Sequence, residues 1–107
     1  FFLEDCIFLQ YLPAKIPEKL AKLITEIAVD TYNILDAHDY ARIELRVDKD
    51  HNPYVIELNP NPSIGSDACT SKCAKLAGYD YGDFLELILS SAVKRYKGRP
   101  PFYHLTV

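Results

Sequence analysis

Four residues whose types suit phosphate and metal chemistry, Arg42, Glu44, Glu57 and Asn59, fall on two alternating stretches separated by the polar, turn-rich run Asp48-Lys49-Asp50-His51-Asn52-Pro53. If the turn is centred between Asp50 and His51, Val47 faces Tyr54, Glu44 faces Glu57 and Arg42 faces Asn59 along an antiparallel ladder. Side-chain direction alternates along each strand, so these four residues project from one face. Like charges directly opposed across a strand pair destabilise it, and a divalent cation offsets that repulsion. A hard ion such as magnesium takes carboxylate and amide oxygens, which Glu44, Glu57 and Asn59 supply, and leaves positions for water and phosphate. With two ions, Glu57 is the better bridge, the ions would clamp a transferring phosphoryl group, and Arg42 beside them would stabilise developing charge. The same pattern also suits a solvated face on which Arg42 and Arg46 flank Glu44 as weak surface ion pairs. A register shift of two would keep the faces while taking Glu57 out of opposition.

The elements that must position this hairpin follow from periodicity. Residues 40–47 alternate, with Ala41, Ile43, Leu45 and Val47 on one side, and residues 54–59 form the second strand. Upstream, Cys6 to Leu12 is dense in apolar residues and ends at Pro13, which predicts a buried strand. Pro17 then precedes Leu20, Leu23, Ile24, Ile27, Thr31, Ile34 and Leu35 at helical spacing, with Lys19, Lys22, Glu26, Asp30 and Asn33 on the solvated side. After the hairpin, Pro60 and Pro62 cannot extend a strand ladder, so a loop runs to about Asp67. Ser66 or Asp67 is expected to cap a short helix to about Ala77, ended by Gly78. A final helix over 81–96 places Phe84, Leu85, Ile88, Leu89, Ala92 and Val93 on one face, and Gly98, Pro100 and Pro101 stop it. The tail 102–107 carries no clear pattern. The fold class is α+β, an antiparallel sheet containing the 40–47/54–59 hairpin packed with helices.

Composition narrows the function. The chain has 107 residues, 49% of them hydrophobic, and a formal net charge of −3. That is one domain, near the lower size limit for a self-sufficient core. The scattered basic residues leave no footprint for nucleic acid or an anionic membrane, and no apolar run approaches the roughly 20 residues that span a bilayer. Cys6, Cys69 and Cys73 match no CxxC motif and cannot all pair within one chain, which points to a reduced, cytoplasmic setting. Cys69 and Cys73 are four apart on a helix and could share a face as metal ligands, although buried small residues are the simpler expectation. His38 and His51 fit solvated or capping roles. The sequence begins Phe1-Phe2 and contains no methionine, as expected of a fragment of a longer protein.

The segment Arg42-Ile43-Glu44, followed at a fixed interval by Glu57-Leu58-Asn59-Pro60-Asn61-Pro62, resembles the C-terminal signature of D-alanine–D-alanine ligases in the ATP-grasp superfamily. The resemblance extends through Leu12-Pro13-Ala14-Lys15-Ile16-Pro17 and through Ala74-Lys75-Leu76-Ala77-Gly78, covering most of the chain. It implies that residues 1–107 are the C-terminal part of an ATP-grasp catalytic domain. The activity implied is ATP-dependent ligation through an acyl-phosphate, giving a peptide or amide bond, as in peptidoglycan precursor synthesis. Glu44, Glu57 and Asn59 would then hold two magnesium ions, with manganese as a substitute, Glu57 and Asn59 would bind ATP, and Arg42 would contact the phosphate. The resemblance further implies absent N-terminal and central domains, a small amino-acid or carboxylate substrate, a dimeric parent, and inactivity of the isolated fragment. A non-catalytic ATP-grasp-related binding domain is the alternative.

Two positions depart from the family pattern. Glu44 stands where the family usually has aspartate, which keeps the carboxylate and changes its reach. Where the family has a glycine and then a serine for the acceptor carboxylate, this chain has Ser63 and Ala68; Ser63, Ser66 or Thr70 would have to supply the missing contact. The resemblance therefore implies the reaction class and leaves the acceptor open.

Overall fold

The computed structural model describes residues 14–97. The expected strand over 6–12 and the tail after Tyr96 lie largely or wholly outside the described residues. Five elements follow in order: α1 (Glu18–Ile34), β1 (Arg42–Val47), β2 (Pro53–Asn59), α2 (Cys69–Leu76) and α3 (Tyr81–Tyr96). The strands form a two-stranded antiparallel sheet, so the α+β class holds. No helix among the described residues is long and apolar enough to cross a membrane.

α1 lies against both strands and α2 against α3. Leu20 and Ile24, one turn apart on α1, are buried, each contributing about 1.5–3 kcal/mol from burial. The rest of the expected apolar face is less covered: Ile34 is 80% exposed and Leu35 59%. On α3, Phe84, Leu85, Ile88, Ala92 and Val93 are half-buried, while Leu89 is exposed.

Helix ends use backbone chemistry that the sequence only partly announces. Pro17 precedes α1, and its carbonyl accepts the first helical bond, from the Ala21 amide at 2.9 Å. At the other end Ala37 N–H donates to the Tyr32 carbonyl and Asp36 N–H to the Asn33 carbonyl, a Schellman closure that puts Asp36 at φ 55°. The end of α2 repeats it: Tyr79 N–H donates to the Ala74 carbonyl, Gly78 N–H to the Lys75 carbonyl, and Gly78 has φ 97°. A glycine occupies that conformation without Cβ strain, as expected from sequence.

The start of α2 differs from expectation. Neither Ser66 nor Asp67 caps it; Ala68 occupies the cap position with no side-chain bond. Asp67 instead folds its carboxylate back towards Gly65, 3.2 Å from where a glycine Cβ would lie. In contrast, the Asp80 carboxylate caps α3 by accepting from the Asp83 amide at 2.8 Å.

Hydrogen bonds link the α2–α3 pair to the rest. Asp39, held at φ 67° just before β1, accepts from Arg95 Nη2 at 2.7 Å and Ser91 Oγ at 2.9 Å on α3. Tyr81 donates its hydroxyl to the Ile64 carbonyl at 2.7 Å.

Candidate functional site

The hairpin turn is organised by Asp48. Its Oδ1 accepts from the amides of Asp50 and Asn52, both at 2.9 Å, and its Oδ2 accepts from Asn52 Nδ2 at 3.1 Å and the Tyr54 hydroxyl at 3.4 Å. The Asn52 amide is foremost in holding the Asp48 carboxyl below the usual carboxylate range. His51, at φ 63°, is a turn residue and lies in the left-handed region.

The ladder above this turn is Val47↔Pro53, Arg46↔Tyr54, Leu45↔Val55, then Glu44↔Glu57, Ile43↔Leu58 and Arg42↔Asn59. The expected pairing of Val47 with Tyr54 is therefore wrong: the lower ladder is one residue out of step with it. The register shifts between Glu44 and Leu45, where Ile56 is the extra residue of a β-bulge. Two residues facing one across the ladder restore the pairing above the bulge. Glu44 thus opposes Glu57, and Arg42 opposes Asn59, as expected, for a reason the symmetrical turn did not contain. β1 begins at Arg42 rather than Tyr40, and β2 already includes Pro53.

The four residues sit on the open end of the hairpin. Arg42, Glu44 and Asn59 are half-buried and Glu57 is exposed. Directly opposed side chains start about 4.5–5.5 Å apart, close enough for both carboxylates to reach one cation. The Asn59 side chain is oriented: its Oδ1 accepts from the Asn61 amide at 2.9 Å, an Asx turn of the kind Asn-Pro sequences favour. A second lone pair on that oxygen is still available to a metal. Arg42 Nε is buried and has no hydrogen-bond partner, as is also true of Arg95 Nε on α3. Among the described residues no three His, Cys, Asp or Glu side chains converge as a metal cage. Two carboxylates and an amide instead suit magnesium, which is usually held by one or two carboxylates and completed by phosphate and water.

The loop after β2 is fastened by hydroxyls that sequence reasoning did not assign. Tyr40 donates to Asn61 Oδ1 at 2.9 Å and reaches the Pro62 carbonyl at 3.3 Å, and Pro62 is fully buried. Buried Ser71 donates to the Gly65 carbonyl at 2.7 Å, and Thr70 donates to the Ser63 carbonyl. The Thr70 hydroxyl is thus bonded within the loop itself. Ser63 and Ser66 are exposed. The spacing of Thr70 and Ser71 after the Pro-rich loop is a faint signal in retrospect, since neither residue favours a helix interior unless its hydroxyl has a local acceptor.

The antiparallel hairpin thus carries opposed carboxylates, with an oriented amide and an arginine opposed two positions further along the same face. Residues 7–90 match the model of the family described as D-ala D-ala ligase C-terminus, and the chain belongs to that family. It is 38% identical over 86 residues to an uncharacterized protein, y4sG, of Sinorhizobium fredii, covering 80% of this chain and 26% of that protein. It is 31% identical over 83 residues to the D-alanine–D-alanine ligase of Pelotomaculum thermopropionicum, covering 78% of this chain and 26% of the ligase. The crystal structure of the Bacillus anthracis D-alanine–D-alanine ligase complexed with ATP superposes with a TM-score of 0.75 at 27% identity, over 82% of this chain and 31% of that one. The chain therefore spans about a quarter of the length of these curated relatives.

Proposed function

We propose that residues 1–107 form the C-terminal part of an ATP-dependent carboxylate–amine ligase of the D-alanine–D-alanine ligase type, contributing one wall of a site completed by N-terminal and central domains. The observation that carries this reading is the direct opposition of Glu44 and Glu57, with Arg42 and Asn59 opposed on the same face. Family membership and the fold shared with the ATP-bound Bacillus anthracis enzyme support it.

In the reaction proposed, the ATP γ-phosphoryl passes to a substrate carboxylate, and an amine displaces phosphate from the resulting acyl-phosphate to give an amide. Magnesium would neutralise phosphate charge and align the transferring group, which is most of what phosphoryl transfer requires. Glu44, Glu57 and Asn59 are the residues that would hold it, Glu57 bridging where two ions bind, and Glu57 and Asn59 would also fix ATP through it. Arg42, its Nε free of protein partners, would donate to the phosphoryl oxygens as charge develops. Ser63 and Ser66, exposed on the fastened loop, are left to meet the acceptor carboxylate, since Ala68 has no hydroxyl and Thr70 is engaged. The acceptor is a small amino acid, D-alanine or another, and an ATP-dependent step of peptidoglycan precursor synthesis belongs in the cytoplasm.

The test is phosphate release by the full-length protein with D-alanine and a panel of other amino acids, before and after Glu57→Gln. Amino-acid-dependent turnover that vanishes in the variant is expected. Undiminished turnover in Glu57→Gln overturns the reading.

A further inference from the structure

The hairpin ladder ends at Arg42↔Asn59, so two of the four site residues stand on its last rung. Chain segments at the end of a ladder open most easily unless something holds them. Carrying the same register two residues further would set Tyr40 against Asn61, but Pro60 and Pro62 have no N–H with which to extend the ladder. A side chain takes over there: the Tyr40 hydroxyl donates to Asn61 Oδ1 at 2.9 Å and lies 3.3 Å from the Pro62 carbonyl. The backbone N–H of Asn61 in turn donates to Asn59 Oδ1 at 2.9 Å. One phenol thus connects, through a single residue, to the oxygen that the hairpin offers to a metal.

We propose that Tyr40 is a positioning residue for the metal-and-phosphate face: by tethering Asn61 it fixes the Asn59 side chain and keeps Arg42 on its rung. The inference rests on the function proposed above and deepens it. Tyr40 is itself held. Its N–H donates to the His38 carbonyl at 2.7 Å, and the preceding residue, Asp39, is bonded to Ser91 and Arg95 of α3. At the other end of the tether, Pro62 is fully buried. A hydrogen bond strung between two anchored segments transmits position, so the hydroxyl braces the open end of the hairpin from outside the ladder.

The effect on Asn59 follows from its Asx turn. The turn holds one side-chain orientation and leaves the second lone pair of Oδ1 for a metal. It closes only while the Asn61 N–H stays beneath that oxygen, and Asn61 is otherwise exposed between two prolines. Groups that orient a metal ligand through hydrogen bonds typically weaken metal binding by roughly 10–100-fold when lost. Tyr40 acts one bond further out, and a single hydrogen bond is modest in net terms, so removing its hydroxyl should weaken binding by about 5–10-fold. The ring is not needed for that effect: Tyr40→Phe keeps it, and removes only the donor.

The test is manganese binding to the full-length protein with a non-hydrolysable ATP analogue, followed by water-proton relaxation enhancement, which needs no turnover. Tyr40→Phe should raise the manganese dissociation constant by about 5–10-fold. Asn61→Ala, which removes the acceptor and keeps the backbone N–H, should reproduce that loss, and the double variant should add nothing to it. A role confined to folding would lower the melting temperature and leave manganese binding by the folded protein as in the parent; that result, or additive losses in the double variant, overturns the proposal. Glu57→Gln separates the two readings. Binding that is lost in Glu57→Gln and undiminished in Tyr40→Phe overturns the role of Tyr40 alone, whereas a parent that binds no manganese overturns both. Asn61 is exposed, so its alanine variant decides the question even if Tyr40→Phe fails to fold.

Discussion

Glu44 stands directly opposite Glu57 across the hairpin, one rung above the point where the ladder slips by a residue. The extra residue at that point, Ile56, lets a turn organised on Asp48 coexist with a pairing that brings Glu57 and Asn59 onto the Arg42 face. Without the bulge, a continuous ladder from Val47↔Pro53 would set Glu44 against Ile56 and turn Glu57 to the other face.

Deleting Ile56 should therefore remove the bulge and keep the site. In the shortened hairpin Glu57 follows Val55 directly, so a continuous ladder still pairs Glu44 with Glu57 and Arg42 with Asn59 on one face. In the full-length protein, ATP turnover should persist while circular dichroism remains close to that of the parent. Loss of turnover in a folded deletion variant would show that the local twist of the bulge, and not the pairing alone, sets the site.

Glu44→Gln should move stability and activity in opposite directions. Removing one of two opposed like charges should stabilise the metal-free hairpin by about 0.2–1 kcal/mol. Magnesium-dependent turnover of the full-length protein should fall by roughly 10²–10³-fold, the usual loss for a charge-stabilising group. Thermal melts without magnesium and phosphate-release assays with it read the two effects separately. A destabilised and fully active variant would contradict both.

Acid should loosen the junction between β1 and α3. The hydrogen bond from Arg95 is the main reason the Asp39 carboxyl titrates below its usual value, with Ser91 adding to it. A depressed folded-state value gives stability that is fully present above the unfolded value of about 3.9 and is lost as pH falls through the folded value. Asp48 behaves in the same sense through its bonds to Asn52. Asp39→Asn should flatten, and Asp39→Asn with Asp48→Asn should further flatten, the fall in melting temperature below about pH 4. An unchanged acid limb in the double variant would refute this assignment.

The two Schellman closures predict a pair of effects with opposite sign. Gly78→Ala puts a Cβ on a residue at φ 97° and should cost about 1 kcal/mol in urea unfolding. At the equivalent position after α1, Asp36 already bears that strain at φ 55°, so Asp36→Gly should stabilise, by a smaller amount because aspartate tolerates the left-handed region better than most residues.

What could be read in advance was periodic. Helical spacing gave α1 and α3, alternation gave both strands and the polar face, and Gly78 marked the end of α2. The bulge at Ile56 could not be read, because Tyr54-Val55-Ile56 offers no glycine or polar break and several register solutions fit the same alternation. The capping error at Ser66 and Asp67 arose because both residue types also serve loops, and Asp67 turned back towards Gly65 instead. Of the candidate site, the residue types and their common face followed from spacing, whereas the Tyr40, Thr70, Ser71 and Tyr81 fastenings depend on contacts between distant parts of the chain.

The Asp39 contacts also bear on the order in which the chain assembles. Ser91 and Arg95 lie 52 and 56 residues from Asp39 along the chain. The helix closures and the Asp48 turn connect residues within a few positions, so each forms at small entropic cost. Bringing α3 back to Asp39 closes a loop that includes the entire hairpin, and that cost rises with the logarithm of loop length. Substitutions at Asp39 should consequently act mainly on the rate at which α3 detaches, leaving early folding of the hairpin little changed.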